Sequence, residues 1–140
     1  MTHKNYEILE HTADIRILVK AKKLRELFQK SAMAMFDLIA VKKWFIFRKA
    51  VRFDIMLKAD TLEELYVDWL NDLLSLSESK KLVFTGFKIA FLSDNRLRGF
   101  AYGYDRRKFI MKREIKAATY HDLKIENRGD IFFSEIIFDV

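Results

Sequence analysis

The chain has 140 residues, with 26 Lys and Arg against 20 Asp and Glu for a net charge of +6, and it is 51% hydrophobic and 14% aromatic. That length suits one domain, and that apolar content excludes intrinsic disorder, because such a chain must bury a sizeable core. With no cysteine, a disulfide framework, a thiolate metal site and a cysteine nucleophile are excluded too.

Met1–Glu7 contains no apolar run and does not read as a secretory signal. The uncharged apolar blocks Ser31–Phe36 and Leu82–Phe87 fall far short of the ~20 residues a membrane span needs. These features predict a cytoplasmic protein with no membrane association. Proline is absent and glycine occurs only at 86, 99, 103 and 129. With no repeat and no linker-like stretch, residues 1–140 read as a single domain.

The first strand signal is Ile15, Ile17 and Val19, alternating with Asp14, Arg16, Leu18 and Lys20. Leu24–Ala40 follows as an amphipathic helix, its stripe at 24, 27, 28, 31, 32, 35, 38 and 39 apolar except for Ser31. Val51, Phe53, Ile55 and Leu57 alternate again as a strand. A second helix is predicted over Leu62–Leu76, opened by a capping box at Thr61 and Glu64. Its core face is Leu62, Leu65, Tyr66, Trp69, Leu73 and Leu76, and its outer face carries Glu63, Glu64, Asp68 and Asp72. Leu82–Leu92 and Leu97–Tyr104 form a hairpin through Ser93–Arg96, and Ala117–Glu126 and Ile131–Val140 form another around Asn127–Asp130. The last strand is apolar on both faces apart from Ser134 and Glu135, which predicts an interior position in the sheet. The fold class expected is α+β in two layers, with two helices on one face of a mixed or antiparallel sheet.

Among chemistry-bearing residues, Asp14 and Asp139 stand out. Position alone makes Asp14 a turn carboxylate and Asp139 a solvated strand end. Termination at Val140, however, sets a free α-carboxylate beside Asp139, and adjacent carboxylates repel unless a cation lies between them. If the fold brings Asp14 close, the hard oxygen donors suit Mg²⁺ or Ca²⁺ better than zinc. The histidines at 3, 11 and 121 show no zinc-binding spacing, and His121 is either a proton carrier or, more simply, a polar group on a strand. There is no phosphate loop, and no nucleophile elbow surrounds Ser75, Ser77 or Ser79. A basic cluster, Arg106, Arg107, Lys108, Lys112 and Arg113, surrounds Phe109–Met111, with Lys116 just beyond. It is compatible with phosphate contact, with an acidic protein surface or with a solvated face. Trp44–Phe47, followed by Arg48 and Lys49, is either an aromatic–basic contact or a buried segment.

Four motifs in register resemble the archease family. They are Glu10–Asp14 with Leu24–Phe28 and Ala32–Phe36, the second helix Leu62–Leu74, the run Ile115–His121, and the ending Ile137–Val140. The resemblance implies a non-catalytic accessory protein of the GTP-dependent RNA ligase of tRNA splicing, promoting guanylylation of the ligase histidine and multiple turnover. It also implies a divalent cation held by Asp14, Asp139 and Val140, commonly calcium, with magnesium or manganese as the alternatives in the cell. Lys116 matches the family's functional lysine, and His121, Arg106 and Arg107 join it as candidate partner contacts. An alternative role is a chaperone-like modulator of a tRNA methyltransferase, or an RNA-binding module using the basic loop, with tRNA contacted weakly or indirectly. Two departures are Ala21–Lys23, where the family often has glycine, and Tyr104, where it often has glutamate. The family is also frequently acidic, unlike this chain.

Overall fold

The alternating and helical patterns are realised in the computed structural model, which describes residues 6–10, 14–43 and 49–140. In chain order the strands are β1 (Tyr6–Glu10), β2 (Asp14–Ala21), β3 (Ala40–Lys42), β4 (Val51–Lys58), β5 (Leu82–Leu92), β6 (Arg96–Asp105), β7 (Phe109–Met111), β8 (Ala117–Arg128) and β9 (Ile131–Asp139). The helices are α1 (Leu24–Ile39) and α2 (Leu62–Lys80), and a 3-10 turn covers Arg106–Lys108. The fold is α+β, with both helices packed against antiparallel sheets. The strands form a four-stranded sheet in the order β1-β2-β9-β8, a three-stranded sheet β4-β6-β5 and the small pair β3-β7. Every pairing among them is antiparallel. Strand β9 lies between β2 and β8, the interior place its two apolar faces require.

Two strands were not legible in the sequence. Strands β3 and β7 are too short for a period-two signal. They convert the expected basic loop into a 3-10 turn followed by a paired strand. Helix α2 also continues past the expected Leu76 to Lys80. Ser77 prolongs the inward face one turn beyond Leu73, and its buried hydroxyl donates to the Leu82 carbonyl. The helix then stops at Lys81, whose φ of 57° is left-handed. At its start, Thr61 Oγ1 accepts from the Glu64 N–H (3.1 Å), while the Glu64 carboxylate reaches the Asp60 N–H (3.3 Å), one residue before the cap. The segment Trp44–Arg48, with His3 and His11, lies outside the described residues.

Ser31 is the polar break in the stripe of α1, and its burial is explained by a chain of hydroxyls. It donates to the Leu27 carbonyl (2.7 Å) and accepts from Tyr66 of α2 (2.7 Å), and Tyr66 also shares a hydrogen bond with Ser134 of β9 (3.0 Å). Trp69 donates its indole N–H to the Phe28 carbonyl (3.0 Å), a second tie between the helices. On β6, Gly99 and Gly103 face inward where the core presses closest: an added Cβ would lie 3.0 Å from the Trp69 ring at Gly99 and 2.9 Å from the Phe84 ring at Gly103. Only residues without side-chain bulk let this strand approach so near.

Burial pushes the Tyr66 hydroxyl up to about 12 from an ordinary 10, against the opposing pull of its two serine partners. The folded state therefore keeps this proton after the unfolded state has lost it, and stability falls as pH rises from 10 towards 12. Tyr66→Phe is expected to cost about 1–3 kcal/mol at neutral pH, because Ser134 and Ser31 lose a buried partner. The variant should also lose stability less steeply than wild type above pH 10, the residue's share being at most about 1.4 kcal/mol per pH unit. Urea midpoints measured for both proteins across that range check both effects.

Candidate functional site

One end of the four-stranded sheet collects the residues singled out by charge. The register sets Asp14 directly opposite Asp139 across β2 and β9, and Ala117 opposite Asp139 across β9 and β8. Residues directly opposite on an antiparallel pair project to the same face with Cβ atoms about 4.5–5.5 Å apart, so the two carboxylates emerge together. Asp14 is half-buried, with its Oδ1 shielded from solvent, whereas Asp139 and Val140 are exposed. Lys116 is drawn to the same end by its backbone, whose N–H donates to the Asp139 carbonyl (2.8 Å).

A residue that sequence reasoning missed fixes this end of the sheet. Asn71 of α2 accepts the Ala118 N–H at Oδ1 (2.8 Å) and donates from Nδ2 to the Ala118 carbonyl (3.0 Å). The available signal was weak: an uncharged amide between the apolar stripe and the acidic face of its helix. The neighbouring carboxyls of Asp68 and Asp72 are raised from the ordinary range, chiefly by burial.

Beside the tip runs a groove of about 1170 Å³, between the C-terminal half of α2 and the segment leading into β8. Arg106, Lys112, Arg113 and Lys116 line it together with Glu78. Arg106 Nη2 donates to Glu78 Oε2 (3.0 Å), and that hydrogen bond is the main reason the Glu78 carboxyl is lowered. Arg106 and Lys116 thus share one groove. Arg107 does not join them: its guanidinium is 90% exposed and grips Asp105, holding that carboxyl down to about 2. Phe109, the aromatic within the basic cluster, is buried in the core at 5% exposure. His121 lies farther along β8 in an irregular stretch between Thr119 and Lys124, exposed and 3.5 Å from Asp122.

Among the described residues no group of three or more His, Cys, Asp or Glu side chains is placed to hold a metal ion. Two facing carboxylates nevertheless form an all-oxygen donor pair, and hard cations complete their shells with carbonyls and water. The donor chemistry at Asp14 and Asp139 therefore suits calcium or magnesium better than zinc.

The model of the Archease protein family matches residues 6–140. The chain belongs to the archease family. A Pyrococcus furiosus protein archease is 41% identical over 133 residues, covering 91% of this chain and 92% of its own. A Methanosarcina barkeri protein archease is 36% identical over 143 residues, with coverage of 98% and 97%. Among solved structures, a Methanobacterium thermoautotrophicum protein shares the fold with a TM-score of 0.73 at 24% identity, over 99% of this chain and 100% of that one. A Thermotoga maritima protein described as an archease, possible chaperone, aligns with a TM-score of 0.65 at 26% identity and the same coverage. Membership of the archease family is consistent with an accessory or chaperone-like role. No helix among the described residues is long and apolar enough to cross a membrane.

Asn71→Ala is expected to destabilise the protein by about 1–3 kcal/mol, since it strips both partners from a partly buried backbone unit. Amide exchange should accelerate at Ala118 more than at Phe138, and residue-resolved hydrogen exchange makes that comparison.

Proposed function

We propose that this archease-family protein is a non-catalytic activator of the GTP-dependent RNA ligase of tRNA splicing, promoting its guanylylation and multiple turnover through the Asp14–Asp139 tip. The observation that supports this reading most is the facing register of Asp14 and Asp139 in a chain of this family. In this reading Asp14, Asp139 and Val140 hold a divalent cation, calcium by preference, which supplies positive charge for neutralising phosphate oxygens when bound. Asp14, half-buried, gives the tip its fixed carboxylate, and exposed Asp139 gives the one a partner reaches first. In this reading Lys116, whose backbone N–H donates to the Asp139 carbonyl, contacts a phosphate or a ligase carboxylate beside the tip. Arg106, in the adjoining groove, extends the same positive border, while Arg107 and His121 are peripheral contacts.

Guanylylation of the ligase with GTP, run with and without this protein, tests the proposal. Wild type should raise the turnover number, and Asp14→Ala or Asp139→Ala should each remove at least about tenfold of that stimulation, on the scale of losing a charge-assisted contact. Both variants should still fold, as judged by thermal unfolding. Unchanged stimulation by both would end the metal-tip reading.

A second reading is a chaperone-like modulator of a tRNA methyltransferase; the Thermotoga maritima protein, described as a possible chaperone, supports the chaperone-like part of it. It expects an effect on methyltransferase specificity that survives Asp14→Ala and Asp139→Ala.

A further inference from the structure

The outward face of the β4-β6-β5 sheet takes no part in the tip or the groove. Along β6 the usual alternation is inverted. Gly99, Ala101 and Gly103 point into the core, and the large rings of Phe100 and Tyr102 point out. The run Arg98-Gly99-Phe100-Ala101-Tyr102 has the order basic, glycine, aromatic, small, aromatic. RNA-binding sheets carry that order on a central strand, where outward rings stack on bases. Strand β6 is the central strand of its sheet. The likeness stops at Gly103 and Asp105, where such runs have an aliphatic and an aromatic residue.

The neighbours of β6 complete the surface. Tyr102 sits opposite Gly86 on β5, and a Cβ there would lie 3.5 Å from the Tyr102 ring, so the ring leans across a position with no side chain. The guanidinium groups of Arg52 and Arg98 lie 5.0 and 5.5 Å from the Phe100 centroid. Phe91, opposite Arg98, is 54% exposed, and Met56, on the other side of Arg98, is 73% exposed. Lys58, Lys88 and Arg96 share the face, so five cations meet the single carboxylate of Asp54, which Arg98 holds at 3.0 Å. Cross-strand packing accounts for the arginines over Phe100. It does not account for Phe91 and Met56 in water, or for so much of the chain's positive excess on one sheet.

We propose that this face binds a single-stranded nucleic acid, with Phe91, Phe100 and Tyr102 stacking on bases and Arg52, Lys88 and Arg98 meeting phosphates. Stacking on exposed rings combined with a cationic track is how such strands are held without sequence preference. The surface is separate from the Asp14–Asp139 tip and does not rest on the ligase reading.

Fluorescence anisotropy of the full chain with labelled oligouridylate and oligothymidylate of about 12 nucleotides, within the usual site size, tests it. Binding of either strand should weaken steeply with salt. Arg52→Gln with Arg98→Gln should weaken it at least about tenfold, and Phe91→Ala about fivefold or more, as expected for losing phosphate contacts and one stacked base. Arg107→Gln with Lys108→Gln removes equal charge from the 3-10 turn and should change affinity less than about threefold, the size of a diffuse charge effect. Phe91 is exposed, so its variant keeps the test intact should the arginine pair prove needed for folding. The proposal is overturned if neither strand binds, if both charge pairs cost the same, if Phe91→Ala binds like wild type, or if a duplex of equal length binds as tightly.

Discussion

The buried hydroxyl of Tyr66 is the joint on which the two helices and the central strand are set. It holds Ser31 on α1 and Ser134 on β9 from a single point on α2. Apolar packing alone leaves helices free to slide by a fraction of a turn, whereas three hydroxyls in a dry core admit one alignment. With β9 positioned by Ser134, Asp139 arrives at the sheet end beside Asp14 and Ala117. One turn along α2, Trp69 carries the same alignment into the second sheet, where its ring meets Gly99. The tip and the aromatic face therefore hang from adjacent turns of one helix.

What could be read from the sequence follows from the kind of signal each element carries. Strand β2 announced itself because Ile15, Ile17 and Val19 face a core while their neighbours do not, and α1 did so through its stripe. The inversion on β6 was invisible to that logic. Gly99, Ala101, Phe100 and Tyr102 all count as apolar, so only a size alternation, large outside and small inside, distinguishes the faces. The end of α2 was misplaced because Ser77 continues an apolar face with a hydroxyl whose partner lies five residues ahead in the chain. At the site, the two aspartates were legible as charges near strand ends, but their opposition is a matter of register, which no local pattern encodes. Asn71 was illegible for the same reason: its worth lies wholly in a strand remote in sequence.

Charge is distributed with more order than the net value suggests. The tip is acidic, the groove beside it is basic, and the outer face of the three-stranded sheet is basic and aromatic. The cations of this chain gather at places away from the facing aspartates. The shared fold and the individual surface are thus separable, since sheet alternation lets the outward residues of β4, β5 and β6 vary without touching the core.

Asn71 has one more consequence. Strand β8 borders its sheet, and a bordering strand offers unpaired N–H and C=O groups to any passing chain. At Ala118 both groups are already taken by the Asn71 amide, which acts as a strand one residue long. The β8 border is therefore capped at Ala118, close to where the aspartates emerge. At this point of the edge an approaching chain meets the Asn71 side chain instead of the Ala118 backbone, so β8 offers no hydrogen-bonding ladder to extend beside the facing aspartates.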